Sequence, residues 1–249
     1  MTAAECKNVL SLAILAALIL LGTGCKPTGS TSDRPETAQA FPRPDRAVAA
    51  SGDTQFSTEA ARDEAGEATK LMDWAAISPG MTVADIGAGE GYYTVRLASR
   101  VGAKGRVLAQ DINRGALERL GERIARDRLD NVAIKEGGID DPRLPKGSFD
   151  RIFLVHMYHE VTEPYAFTWR MRDALKPRGQ IIVVDRNRPT SQHGMPPKLL
   201  FCEFAAVGYR LMEFEERPEV GAYFARFERD SAAPTPAEIK TCKETAARV

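Results

Sequence analysis

Apolar positions along the chain change period several times, and each change marks a new element. Residues 9–21 (VLSLAILAALILL) form one uncharged apolar run, whereas 26–56 are rich in Pro, Ser, Thr, Ala and Asp and nearly lack large apolar side chains. The second stretch cannot bury enough surface to offset its ordering entropy and reads as a disordered linker. From Ser57 the pattern turns helical to about Ala76, with Ser57 as cap, Glu59, Asp63 and Glu64 in the early turns and Ser78-Pro79-Gly80 as the stop. Strand-like runs at 81–86, 106–111, 132–135, 150–155 and 180–185 then alternate with helical ones at about 92–101, 114–128 and 163–175. Such alternation implies right-handed crossovers and an α/β, doubly wound parallel sheet. Residues 196–207 add a further helix, and 209–214 and 221–228 two closing strands. Residues 230–249 read as a polar tail with a short helix at the capping box Thr235-Pro236-Ala237-Glu238. The expected organisation is a signal at 1–25, a linker at 26–56, a folded domain at 57–229 and a tail at 230–249.

The apolar run is short for a membrane span, which needs about 20 residues, and has the length of a signal-peptide core. Gly22-Thr23-Gly24 before Cys25 resembles the processing site of a bacterial lipoprotein, although Gly22 stands where leucine is usual and Glu5 opposes Lys7. An ordinary signal peptide and an uncleaved anchor remain the alternatives. The lipoprotein reading implies export and membrane contact through lipidated Cys25; an uncleaved anchor would leave the domain on the cytoplasmic face.

Charge changes the picture little. Lys+Arg and Asp+Glu both number 34, and no basic cluster is interleaved with aromatics, so nucleic acid is not an expected partner. Cys6, Cys25, Cys202 and Cys242 contain no C-x-x-C pair, which removes zinc knuckles and thioredoxin-like chemistry. Cys202 reads as a buried thiol, and its pairing with Cys242 in an oxidising compartment stays open.

The first strand runs into Asp85-Ile86-Gly87-Ala88-Gly89-Glu90-Gly91. In doubly wound sheets ligands sit at the carboxyl ends of the strands where the winding reverses, and the first Gly-rich turn is normally there. The spacing is G-x-G-x-G and not the G-x-G-x-x-G of dinucleotide binders. Asp85 and Glu90 would repel a pyrophosphate but suit a cationic sulfonium and ammonium. Asp111 ends the second strand, placed to accept hydrogen bonds from ribose hydroxyls. Residues 83–94 resemble the first motif of class I S-adenosylmethionine-dependent methyltransferases. Leu175-Lys176-Pro177-Arg178-Gly179 is similar to the family's Leu-Lys-Pro-Gly-Gly turn, with Arg178 in place of one glycine. The resemblance spans 57–229 and implies a seven-stranded Rossmann-like sheet whose last strand is antiparallel. It further implies S-adenosylmethionine as cofactor, held by Gly87, Gly89 and Gly91, with Asp85 under the methionine part and Asp111 on the ribose. Ile112 and Ile139 would pack on adenine and Asp140 would contact it, with Asp141 as alternative because the loop is shorter than the family's.

Residues after the fourth strand face the same cleft. His159 is the candidate general base, because an imidazole titrates near neutrality, and Glu160 would orient it or contact substrate. His156 is expected to line the adenosine pocket, and His193 to reach the same mouth. A metal held by His156, His159 and a carboxylate has no further ligand at fixed spacing, so no metal is expected. Tyr92 and Tyr93 offer an aromatic face to the sulfonium or pack into the core. The expected activity is methyl transfer to a small-molecule acceptor. A non-catalytic ligand-binding lipoprotein on the same fold is the alternative, and a nicotinamide oxidoreductase is disfavoured by the glycine spacing.

Overall fold

The computed structural model describes residues 33–49, 58–230 and 232–244. The expected signal, Cys25 and the Ser57 cap lie outside the described residues. Among the described residues no helix is long and apolar enough to cross a membrane. From Arg34 on, the described residues form one compact unit.

The expected first helix divides into α1 (Glu59–Glu64) and α2 (Glu67–Trp74), because Gly66 adopts a left-handed φ of 64° between them. Thr58 caps α1, its hydroxyl accepting from the Ala61 N–H at 3.3 Å. Seven strands follow: β1 (Thr82–Ile86), β2 (Arg106–Asp111), β3 (Val132–Glu136), β4 (Phe149–Val155), β5 (Leu175–Asp185), β6 (Tyr209–Arg217) and β7 (Ala222–Arg229). The intervening helices are α3 (Tyr92–Val101), α4 (Arg114–Asp127), α5 (Pro164–Met171) and α6 (Pro197–Ala206). The sheet order is β3-β2-β1-β4-β5-β7-β6. The first five strands are parallel, and β7 runs antiparallel to both β5 and β6. The seven-stranded sheet with an antiparallel last strand is therefore present. Its winding reverses between β1 and β4, which sets the ligand crevice at the carboxyl ends of those strands.

Val83, Ala84, Asp85 and Ile86 are all buried, the pattern of a parallel strand covered on both faces. One core layer contains Leu71, Leu97 and Val101; the other contains Tyr158, Tyr165, Leu200 and Phe204. Each such side chain contributes about 1.5–3 kcal/mol through burial. The helix expected at 163–175 ends at Met171 and tightens into a 3-10 turn, Arg172–Ala174, so that β5 already starts at Leu175. A Cβ at Gly179 would meet the Phe149 carbonyl at 2.5 Å, whereas Arg178 is exposed and accommodates the missing glycine.

The linker expectation fails over residues 34–49. Ala38 and Phe41 are buried, and Phe41 packs edge-on against Trp169. Arg34 forks onto Glu163 at 2.5 and 2.6 Å, and Arg46 pairs with Glu203 at 2.9 Å with both side chains fully buried. Polar side chains here supply the anchoring that composition assigns to apolar ones. The tail is likewise packed rather than free. Cys242 is disulfide-bonded to Cys202, its N–H donates to the Tyr165 hydroxyl, and Thr190 donates to Glu244 through both its N–H and its hydroxyl. The expected helix there is a single 3-10 turn, Pro236–Glu238, closed by the Thr235/Glu238 capping box.

Candidate active site

The loop after β1 keeps all three glycines at positive φ: 68° at Gly87, 54° at Gly89 and 88° at Gly91. Gly91 opens α3, and a Cβ there would strike Leu120 Cδ1 at 2.4 Å. At Gly89 an added Cβ meets nothing within 4 Å, so the turn presents bare backbone to open space. Asp111 lies opposite. Its two carboxylate oxygens accept the N–H groups of Gly89 and Asn113, each at 2.8 Å, which fixes the carboxylate and leaves lone pairs for further donors. Beside it Ile112 and Ile139 are 46% and 39% exposed, among the few large apolar side chains so open in the described residues. Bare backbone, a fixed acceptor and two exposed apolar side chains fit an adenosine moiety: hydroxyls on Asp111, base against isoleucine.

Beneath the loop Asp85 is buried and accepts the Thr94 hydroxyl at 2.6 Å. Burial pushes its carboxyl up to about 6, with the Thr94 hydrogen bond opposing and Asp111 adding to the rise. A cationic amino-acid group placed here would favour the charged form. Glu90 does not serve the expected purpose. It is exposed and paired with Arg119 at 2.7 Å, so its charge is offset by a guanidinium from α4. Tyr92 and Tyr93 both enter the core, and Arg62 lies over their rings at 3.7 and 5.1 Å from the centroids. The aromatic faces are thus taken by a guanidinium. Arg62 itself is anchored on Glu67 at 2.6 Å, and Tyr93 donates to the same carboxylate.

Asp140 is buried, and its Oδ2 accepts from Thr37 at 2.6 Å and Arg170 at 2.7 Å. The oxygen expected on adenine is held by the chain itself, by a segment read as linker. Asp141 is occupied within its own turn, accepting the Arg143 N–H at 2.7 Å.

At the end of β4, His156 adopts φ 54° and turns the chain into the 3-10 turn Tyr158–Glu160. The imidazole of His156 is largely buried and faces Glu67, with Nε2 4.0 Å from Oε1. Burial lowers it to about 4, the neighbouring carboxylates Asp185 and Glu67 opposing. A folded-state value below the unfolded one means stability is lost as pH falls through about 6.5 to 4. Replacement by asparagine, which tolerates positive φ, removes this liability. We expect His156→Asn to lose about 2 kcal/mol less than wild type between pH 7 and pH 5, read from urea midpoints; equal losses would refute the assignment.

His159 is fully buried, and its Nδ1 lies 2.9 and 3.1 Å from the two oxygens of Asp185 at the end of β5. With Asp185 accepting, Nδ1 carries a ring proton, and in the neutral imidazole Nε2 then offers its lone pair. Glu160 Oε1 is 3.9 Å from that Nε2, and the His193 ring stands edge-on at 5.7 Å. The structure therefore brings together His159, Glu160 and His193, while His156 belongs to the Glu67 side. Asp185 escaped the sequence reading as a site residue. Its signal was present: Val155 pairs with Val184, so an acid one residue further along β5 borders the turn after β4. Arg46, which donates to the carbonyls of His159 and Val161 at 3.1 Å each, left no such trace.

Fold and loop together define an S-adenosylmethionine-binding, Rossmann-like domain. A family model described as a methyltransferase domain matches residues 77–204, just over half of the chain. The chain belongs to this S-adenosylmethionine-dependent family. It is 31% identical over 145 residues to the ubiquinone/menaquinone biosynthesis C-methyltransferase of Shewanella sp. (strain ANA-3), covering 57% of this chain and 53% of that one. The same enzyme of Shewanella frigidimarina is 29% identical over 157 residues, covering 62% and 58%. The chain thus spans little more than half the length of the curated relatives it matches. Among solved structures, a SAM dependent methyltransferase from Aquifex aeolicus superposes with a TM-score of 0.62 at 24% identity, covering 67% of this chain and 91% of that one. The [4+2]-cyclase SpnF superposes with a TM-score of 0.58 at 13% identity, covering 79% and 92%. These likenesses concern the fold; the reaction has to come from the site.

Proposed function

We propose that the chain transfers a methyl group from S-adenosylmethionine to a small-molecule acceptor bound beside the turn Tyr158–Glu160. The observation that carries this reading is Asp111, fixed by two backbone N–H groups opposite the open turn at Gly89 and flanked by exposed Ile112 and Ile139. Bound there, the donor supplies an electrophilic methyl group on an excellent leaving group. The protein's part is to hold the acceptor in line and take any proton it must lose. His159 suits the second task, because Asp185 orients its ring and leaves Nε2 as acceptor. The two Shewanella relatives are named for C-methylation in quinone biosynthesis, which supports a small-molecule acceptor.

His159→Ala is expected to keep cofactor affinity and to lose roughly 10²- to 10⁴-fold in transfer, the range for general acid–base groups. The assay follows label from methyl-labelled S-adenosylmethionine into a small-molecule extract. Wild-type protein that saturates with cofactor yet passes label to no fraction would overturn the transferase reading.

We also propose export and tethering through lipidated Cys25. The apolar run at 9–21 and the small residues before Cys25 support it, as does the Cys202–Cys242 disulfide, since such bonds persist in oxidising compartments. Mass spectrometry of the membrane-purified protein should find a lipidated Cys25 at its start; an intact Met1 would contradict this.

A further inference from the structure

The three groups at the acceptor mouth form a set that proton transfer alone does not explain. His159, Glu160 and His193 each offer one ligand atom, all within 4.8 Å of one another, and His159 Nε2 lies 3.9 Å from Glu160 Oε1. The His159 side chain is fully buried, yet Nε2 makes no hydrogen bond among the described residues. A buried lone pair without a partner destabilises the fold that holds it. Its retention, aimed at a carboxylate and a second imidazole, points to a ligand. Asp185 on Nδ1 completes the pattern, because a carboxylate behind an imidazole is what orients the other nitrogen onto a metal ion.

We infer that His159, Glu160 and His193 bind a divalent transition metal of zinc's chemical class, with Asp185 as positioning residue. Two imidazoles and one carboxylate are a ligand set zinc takes in sites that keep a fourth position open. With bonds of about 2.0–2.1 Å, tetrahedral ligand atoms sit roughly 3.4 Å apart, so the set must close by about an ångström. Glu160 and His193 are only half-buried and stand on or beside 3-10 turns, where side-chain rotation supplies that movement. The sequence expectation of no metal site depended on His156 as the second imidazole; His193, from the loop after β5, takes that place. Ligation and proton acceptance use the same lone pair of His159, so ion-loaded and ion-free protein differ in the role of this residue. Ion binding needs neither donor nor acceptor, and its test is separate from that of methyl transfer.

The test uses the untagged full chain, stripped with a chelator and titrated with Co²⁺ by visible absorption, then with Zn²⁺ by competition. One equivalent of Co²⁺ with tetrahedral bands, displaced by Zn²⁺, is expected. His193→Ala and Glu160→Gln should each weaken binding at least tenfold, and Asp185→Asn roughly 10- to 100-fold, as for other groups that orient a ligand. The first two positions are half-buried, so their variants should fold even if replacements at buried His159 do not; circular dichroism checks this. No stoichiometric uptake would overturn the inference, as would uptake unchanged in both His193→Ala and Glu160→Gln.

Discussion

Arg46→Ala is expected to cost about 3–5 kcal/mol, the loss typical when one partner of a buried ion pair is removed. That is a large part of the 5–15 kcal/mol that holds an ordinary domain. The reason lies in what remains. Glu203 is fully buried and, among the described residues, keeps only the Tyr158 hydroxyl as a hydrogen-bond partner, at 2.8 Å, once the guanidinium is gone. Burial already raises the Glu203 carboxyl and Arg46 opposes that rise, so without Arg46 it stands higher still. A group with a raised folded-state value adds stability below it and loses that contribution as pH rises. The deficit of Arg46→Ala should therefore shrink toward mildly acid pH, and Glu203→Gln in the same background should restore part of it by removing the charge. Urea unfolding at two pH values reads both effects. Transfer should fall as well, because Arg46 also holds the carbonyls of His159 and Val161. An unchanged urea midpoint would show that residues 34–49 are not the anchor described above.

Asp85→Asn should act in opposite directions on stability and on binding. The shift of this buried carboxyl from 3.8 to about 6 is roughly two units, or roughly 3 kcal/mol. Because the folded-state value is raised, the stabilising contribution is present at acid pH and lost as pH rises through about 6. At neutral pH the ionised side chain is a liability of the free protein. Asparagine keeps an acceptor for Thr94 and removes the charge, so the cofactor-free variant should melt roughly 5–10 °C higher. Loss of a charged partner for the methionine ammonium should at the same time weaken S-adenosylmethionine binding roughly 10- to 100-fold. Thermal melts with and without cofactor separate the two effects, since at fixed concentration a ligand raises the melting temperature with the logarithm of its affinity. A variant less stable than wild type, with undiminished cofactor shift, would contradict the role given to Asp85.

Period and punctuation were enough for the elements that carry the glycine-rich loop. The ends of α3 and β2 fall where apolar spacing and Gly102 or Gly105 place them, and Asp111 emerges at the end of β2. These features are local. What the sequence hid is either conformational or distant. The break at Gly66 depends on a positive φ that helical periodicity cannot report. The charge of Glu90 is paired by Arg119, which lies on α4 and not in the loop. The segment 34–49 is held by Arg34 and Arg46 through carboxylates 129 and 157 residues away. No window-based pattern of hydrophobicity registers such anchors. His159 was legible by position, but its partner Asp185 and the company of His193 emerge only when β4 and β5 lie side by side. The Cys202–Cys242 pair belongs to the same kind of information, a contact over 40 residues with no intervening motif.

The glycine-rich loop remains the centre of the account, now resting on Asp111, Asp85 and the two exposed isoleucines more than on Glu90. The most direct test is calorimetry on a chain that includes residues 34–49, titrated in turn with S-adenosylmethionine, S-adenosylhomocysteine and NAD. One site for each sulfur ligand is expected, lost or much weakened in a folded Asp111→Ala variant, with no heat from NAD. Binding of NAD alone, or affinity for S-adenosylmethionine untouched by Asp111→Ala, would contradict the assignment of this loop.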